Sequence, residues 1–321
     1  MTDAGNWCLI ESDPGVFTEM LSGFGVEGLQ VEEVYSLDDD KSLTRPVYGL
    51  VFLFKWRRGE ETIGTPSTKP DIFFAQQMIQ NACATQALIN LLMNIKDQDV
   101  KLGDVLTQYK EFSMDMDPAT RGLCLSNCEP VRAVHNSFSR QTLFELDAKG
   151  GESEDNYHFV TYLPLGNKVY ELDGLRDAPY EVVDFADGTD WLSAIGPMIQ
   201  ARMQKYSQGD IHFNLMAIVP NRKFKLEEML TSMVSANVNN EFDEQIDDLK
   251  KSIADENYKM EMYHRENNRR RHNYTPFLIK LMTILAREGK LVGKIEHAHQ
   301  TAKTRANLAT DKTSLELKRK Q

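Results

Sequence analysis

Cysteine is scarce in this chain: four residues, Cys8, Cys83, Cys124 and Cys128, in a sequence of 321. Four are too few for a disulfide-stapled scaffold of this size, so thiol chemistry here means free cysteines. Long apolar runs are missing too, and none approaches the roughly 20 residues that a membrane span needs. The opening Met1 to Trp7 has no basic segment followed by an apolar stretch of the secretory type. Positive charge is in deficit: Lys and Arg total 37 against 48 Asp and Glu, net −11, which argues against DNA or RNA as the main partner. Internal repeats and glycine-rich phosphate loops are absent as well. The expectation is a soluble protein of the reducing cytoplasm or nucleus, with no membrane and no direct nucleic-acid partner.

What is present supports a packed core, since 41% of residues are hydrophobic, the proportion of an ordinary globular chain. The length exceeds what one core usually organises, and the charge divides accordingly. Residues 1–220 carry 17 basic and 33 acidic side chains, net −16, whereas 221–321 carry 20 and 15, net +5. Two domains are expected on that division, 1–220 and 221–321.

Ser12-Asp13-Pro14 offers a cap and a first-turn proline, followed by Val16, Phe17, Met20 and Leu21 at helical spacing. Residues 29–37 read as a strand, and the apolar run 47–56 as a central strand buried on both faces. Ala84, Ala87, Leu88, Leu91 and Leu92 mark a helix. Further helices are expected near 102–114, 130–139 and 191–206, and strands at 142–146, 158–163, 169–172 and 213–219. Helices come mainly first and strands later, which is an α+β pattern. The polar, Gly-Gly-bearing stretch from Asp147 to Tyr157 reads as a mobile loop or lid. Beyond Pro220, Phe242, Ile246, Leu249, Ile253, Met260 and Tyr263 alternate steps of four and three with a gap at Glu256. They outline a long helix whose seam packs on the first domain or is covered by a partner. Pro276 opens another helix that Gly289 ends, and the polar stretch from Thr301 reads as frayed or disordered.

Cys83 stands where helical periodicity begins, a position at which unpaired N–H groups and the helix dipole favour a thiolate. His158 and Asp173 flank the turn-like Pro164-Leu165-Gly166-Asn167. A hairpin centred between Leu165 and Gly166 would set them directly opposite, close enough for the carboxylate to orient the imidazole. A nucleophile, a base and an orienter make the logic of a cysteine protease. Gln77, six residues before Cys83, can offer its amide to an oxyanion beside the Cys83 N–H. Cys124-x-x-x-Cys128 with His135, and separately His297 and His299, lack the paired spacing of a structural zinc site, so no metal is assigned.

The stretch Asn81-Ala82-Cys83-Ala84-Thr85-Gln86 after Gln77, then His158-Phe159-Val160 and Tyr170-Glu171-Leu172-Asp173-Gly174, resembles the ubiquitin carboxyl-terminal hydrolase family of cysteine proteases. The opening from Trp7 to Phe17 and the segment Phe213 to Ile218 resemble it too. Arg269-Arg270-Arg271-His272-Asn273-Tyr274-Thr275-Pro276-Phe277 is similar to the C-terminal domain of a long, proteasome-associated branch. An arginine run can equally be a solvated basic face or a nuclear-import patch. The resemblance implies a papain-like fold, helices around a central antiparallel sheet threaded as a knot, with an all-α extension. It implies Cys83 as nucleophile, His158 as general base and acid, Asp173 as orienter and Gln77 as oxyanion donor, with no cofactor. It also implies that the 147–157 loop crosses the active site, and that Tyr35 and Ile211 contact ubiquitin. Implied partners are ubiquitin and its conjugates, a proteasomal ubiquitin receptor bound through 221–321, and a chromatin-remodelling complex. An acidic first domain suits ubiquitin's arginine-bearing tail. The rival reading is a ubiquitin-binding scaffold or adaptor with little turnover.

Overall fold

The computed structural model describes residues 7–37, 43–55, 63–67, 71–139, 157–206, 213–237 and 242–303. The strand expected at 142–146, residues 147–156 of the expected lid, Ile211 and the tail from 304 lie outside the described residues.

Among the described residues, seven strands form one antiparallel sheet: β1 Leu29–Glu33, β2 Gly49–Lys55, β3 Thr65–Pro66, β4 Tyr157–Leu165, β5 Lys168–Leu172, β6 Tyr180–Asp184 and β7 Phe213–Pro220. Their order across the sheet is β1-β7-β2-β4-β5-β6-β3. The apolar run read as central is indeed central, because β2 pairs with β4 on one side and β7 on the other. Its period-2 alternation divides it between two cores. Val51, with Phe159, Met216 and Ile218, faces helices α1 Pro14–Gly23, α2 Cys83–Leu92, α3 Gly103–Ser113, α4 Pro118–Ser126 and α5 Glu129–Ser137. Leu50, Phe52 and Phe54 face the other way, against α6 Trp191–Tyr206 through Ile195 and Ile199. Helices on both faces of an antiparallel sheet confirm the α+β class. Helix α1 starts as its sequence dictates, with the Asp13 carboxylate accepting from the Gly15 and Val16 N–H groups.

The β4–β5 hairpin departs from the expected register. Leu163 pairs with Tyr170 and Leu165 with Lys168, so the turn is centred between Gly166 and Asn167, one residue later than expected, and opposed residue numbers sum to two more. Gly166 has φ +63° and occupies the first turn position, where a type II′ hairpin requires glycine. His158 and Asp173 are therefore not directly opposite. A shift of two preserves side-chain parity, so they remain diagonal neighbours on one sheet face.

The described residues fall into two compact units, 7–139 with 157–271, and 272–303. Packing continues past Pro220: α7 Arg222–Ala236 and α8 Asp243–Arg271 belong to the first unit, and α8 contacts α1. The seam from Phe242 to Tyr263 is thus covered within this unit. Glu256, the gap in that seam, is itself buried and pairs with Lys259 at 2.8 Å and Arg222 at 3.4 Å. The second unit holds α9 Thr275–Arg287 and a further helix over 291–303. No helix among the described residues is long and apolar enough to cross a membrane.

Candidate active site

Cys83 is the first residue of α2, and the residue before it, Ala82, supplies no capping side chain. The thiol therefore stands at the positive end of the helix dipole with no side chain competing there. Helix α2 is fastened to β4 by a buried hydrogen bond, 3.0 Å, from the Thr161 hydroxyl to the Ala87 carbonyl. Its two ends lie four residues after Cys83 and three after His158, so it fixes the helix start against the strand start.

His158 is buried beside the edge of Phe54, with ring centroids 6.0 Å apart. Its Nε2 donates to Asp173 Oδ1 at 2.6 Å, because a carboxylate can only accept. The ring's other nitrogen is left for the Cys83 thiol, which acts on the imidazole to raise its pKa. Burial pulls the His158 pKa down, but the hydrogen bonds and charges of Asp173 and Cys83 outweigh it and raise it to about 9.

Asp173 lies one residue past β5. Burial favours its neutral form, yet the His158 bond and charge, the Leu175 N–H and Arg176 together hold it below the usual carboxylate range. Oδ1 also accepts from Leu175 N at 3.0 Å, and Oδ2 meets Arg176 Nε at 3.2 Å. Arg176 is itself fixed over the Tyr180 ring, 4.4 Å from its centroid, and 3.6 Å from buried Glu171. Glu171 accepts from the Tyr162 hydroxyl at 2.7 Å and pairs with Arg202 at 2.6 Å. Each carboxylate on this face is thus matched by an arginine.

Gln77 is brought to the same place by its backbone, whose N–H donates to the Gly174 carbonyl at 2.8 Å. A Cβ on Gly174 would come within 3.0 Å of Gln77 Cβ, so the residue after Asp173 has no side chain for a steric reason. The Gln77 amide is oriented by donating to the Ile79 carbonyl at 2.9 Å, and an amide has a second N–H to give.

The segment leading to Gln77 is held by three amides of α2 or its end, spaced by four: Gln86, Asn90 and Asn94. Asn90 bonds the Ala75 N–H at 2.8 Å and its carbonyl at 3.0 Å, and Asn94 does the same for Phe73, both at 2.8 Å. Gln86 donates to the Ala75 carbonyl. These residues escape a search for apolar periodicity; an uncharged amide stripe at spacing four on an apolar helix is their signal. Asn90→Leu leaves the Ala75 N–H buried without this acceptor. The expected cost is about 1–3 kcal/mol, read as a lower urea midpoint, and an unchanged midpoint would contradict it.

The structure thus brings Cys83, His158, Asp173 and Gln77 together. Tyr35 is 83% exposed and donates to Glu33 at 2.6 Å, while Ile211 lies outside the described residues. Cys124 lies in α4 and Cys128 precedes α5, so they share no helix. Both nitrogens of His135 are engaged, with Thr85 and the Cys8 carbonyl.

Comparison with known proteins points to one family. Residues 7–204 match the model of the family described as ubiquitin carboxyl-terminal hydrolase, family 1. Residues 246–291 match a second, ubiquitin carboxyl-terminal hydrolases. The chain is 73% identical over 321 residues to the ubiquitin carboxyl-terminal hydrolase ubh-4 of Caenorhabditis elegans, covering all of both. It is 38% identical to isozyme L5 of Dictyostelium discoideum, covering 93% of this chain and 96% of that one. Among solved structures, Trichinella spiralis UCH37 bound to ubiquitin vinyl methyl ester superposes with a TM-score of 0.69 at 44% identity, covering 81% of this chain and all of that one. With residues 7–204 and 246–291 matched to the family's models and a relative 73% identical over the whole chain, the chain belongs to the ubiquitin carboxyl-terminal hydrolase family of cysteine peptidases.

Proposed function

We propose that Cys83, His158, Asp173 and Gln77 hydrolyse the isopeptide, peptide or ester bond after the C-terminal glycine of ubiquitin. The single observation that carries the reading is the 2.6 Å His158–Asp173 bond, on an imidazole whose basicity Cys83 also raises. The thiolate attacks the scissile carbonyl carbon, and the oxyanion takes hydrogen bonds from the Cys83 N–H and the Gln77 amide. Imidazolium His158 gives its proton to the departing amine or alcohol, leaving a thioester on Cys83. His158 then takes a proton from water, hydroxide adds to the thioester, and the thiolate leaves as the carboxylic acid product forms and loses its proton to solvent, which restores the thiolate–imidazolium pair. Asp173 holds the ring orientation throughout.

Tyr35 and Ile211 are assigned to the ubiquitin contact, and the net −16 of residues 1–220 attracts its basic tail, more strongly at low salt. We assign recruitment to a proteasomal ubiquitin receptor to the extension 221–321, with a chromatin-remodelling complex as a second host, in cytoplasm and nucleus. Support comes from α9, where Phe277, Leu281 and Ile284, spaced i, i+4, i+7, are all exposed, a face suited to a helix-in-groove contact. Packing of the first unit runs past Pro220 to Arg271, so the residues beyond Arg271 can be removed without cutting that unit.

The test uses a chain ending at Arg271, which leaves the first unit whole. Receptor pull-down is expected to vanish while turnover of a fluorogenic ubiquitin C-terminal amide stays within about threefold, as for a change remote from the reacting groups. Retained pull-down would remove α9 from the assignment, and lost turnover would place the second unit in catalysis.

A further inference from the structure

Three of the described helices start on a capping side chain, Asp13 for α1, Asp117 for α4 and Asn221 for α7, whereas α3, α5 and α9 start without one. Helix α2 has none. A cap there would place a side-chain oxygen where an oxyanion must form, so the start of α2 needs another means of being held.

The N-terminal residues Trp7 and Cys8 provide contacts on both sides of the nucleophile. Two residues before Cys83, Asn81 adopts a left-handed conformation with φ +66°, and its side-chain amide donates to the Trp7 carbonyl at 3.2 Å. Two residues after Cys83, the Thr85 hydroxyl meets His135 Nδ1 at 2.7 Å, while His135 Nε2 meets the Cys8 carbonyl at 2.7 Å. A carbonyl only accepts, so the proton sits on Nε2 and Nδ1 accepts from Thr85. The Cys8 N–H is held in turn by Asn136 Oδ1 at 3.0 Å, and the Trp7 ring stands edge-on to His135 at 4.8 Å. The chain from Asn81 through Trp7, Cys8 and His135 to Thr85 closes a loop of bonds around the one turn that carries the thiol.

We propose that residues 7–8 form a strap that replaces the missing cap, with Asn81, Asn136 and His135 as positioning residues that hold Cys83 in line for attack. The proposal rests on Cys83 being the nucleophile. It requires that loosening the strap at either end slow the chemical step without weakening ubiquitin binding, and that the two ends act as one device.

Asn81→Gly and Asn136→Ala test this in the full chain, singly and together, with Cys83→Ala alongside. Asn81 is exposed and glycine takes φ +66° freely, so that variant keeps its fold, which a thermal melt of each protein checks. Each single variant is expected to lower kcat for the fluorogenic ubiquitin amide by about tenfold, in the range that small misplacements cause, with KM within twofold. Alkylation of Cys83 by iodoacetamide, followed at its own peptide by mass spectrometry, should slow in parallel. The double variant should lose no more than the worse single one, because a strap cut at one end gains nothing from the other. Wild-type kcat in either variant, a rise in KM alone, or losses that multiply would each overturn the strap. Activity remaining in Cys83→Ala would instead remove the assignment of the nucleophile, whatever the Asn81 and Asn136 variants do.

Discussion

Cys83→Ala is expected to lower hydrolysis of a ubiquitin C-terminal amide by at least about four orders of magnitude, while ubiquitin still binds. The size follows from the covalent route. Without Cys83 the imidazole has only water to activate, and no thioester divides the reaction into two easier steps. Two of the remaining thiols are placed elsewhere: Cys124 lies in α4 with its sulfur 3.7 Å from that of Met116, and Cys128 precedes α5. Alanine is tolerated at a helix start, so the fold should persist. A calorimetric titration with ubiquitin, run beside the turnover assay, separates loss of chemistry from loss of binding. Unchanged turnover would discard the thiol mechanism and revive the scaffold reading.

Asp173→Asn should cost about a hundred- to ten-thousand-fold in kcat, as for orienters in comparable triads, and should also move the pH profile. The His158 pKa is raised to about 9 because Asp173 and Cys83 stabilise the imidazolium against burial. A pathway that starts from a thiolate and an imidazolium keeps its activity below that value and loses it as pH rises through about 9. Removing the Asp173 charge leaves burial less opposed, so the alkaline limb must shift to lower pH. Linkage gives the same sign for stability. A raised histidine pKa contributes stability present in full below the unfolded value of about 6.5 and lost as pH rises toward 9. A pH series of kcat/KM on both proteins checks the shift, and an alkaline limb that stays put would separate Asp173 from His158.

Much of the site was legible because its chemistry depends on residue types that composition makes conspicuous. A cysteine at the onset of helical periodicity, and a histidine and aspartate on two strands joined by a short turn, point to one another from the sequence alone. The hairpin register was misjudged by two because Pro164 and Leu165 look like turn residues but continue β4 to Leu165. The pairing survived since parity, and with it the sheet face, did not change. The supporting shell was harder to see. Gln86, Asn90 and Asn94 read as interruptions of an apolar helix, yet they are buried because they satisfy a backbone that passes without a strand partner. His135 drew notice as a possible ligand and proved a buried bridge, its basicity lowered by burial. The short strands β3 and β6 have no strong alternation to announce them, and α7 has weak apolar patterning. The end of the first unit at Arg271 depends on α8 packing against α1: Asn267 donates to the Gly15 carbonyl at 3.0 Å, and Arg270 pairs with Asp13 at 2.7 Å. Contacts more than 250 residues apart in sequence leave no local signal.

Covalent capture tests the assignment of Cys83 most directly. Ubiquitin bearing a C-terminal vinyl methyl ester accepts a thiolate by conjugate addition, so the modified residue records which sulfur is activated in the ubiquitin-bound chain. After digestion, mass spectrometry should find the ubiquitin remnant on the peptide containing Cys83, in the wild type but not in Cys83→Ala. A remnant on Cys8, Cys124 or Cys128, or equal capture by Cys83→Ala, would contradict the placement of the nucleophile at the start of α2.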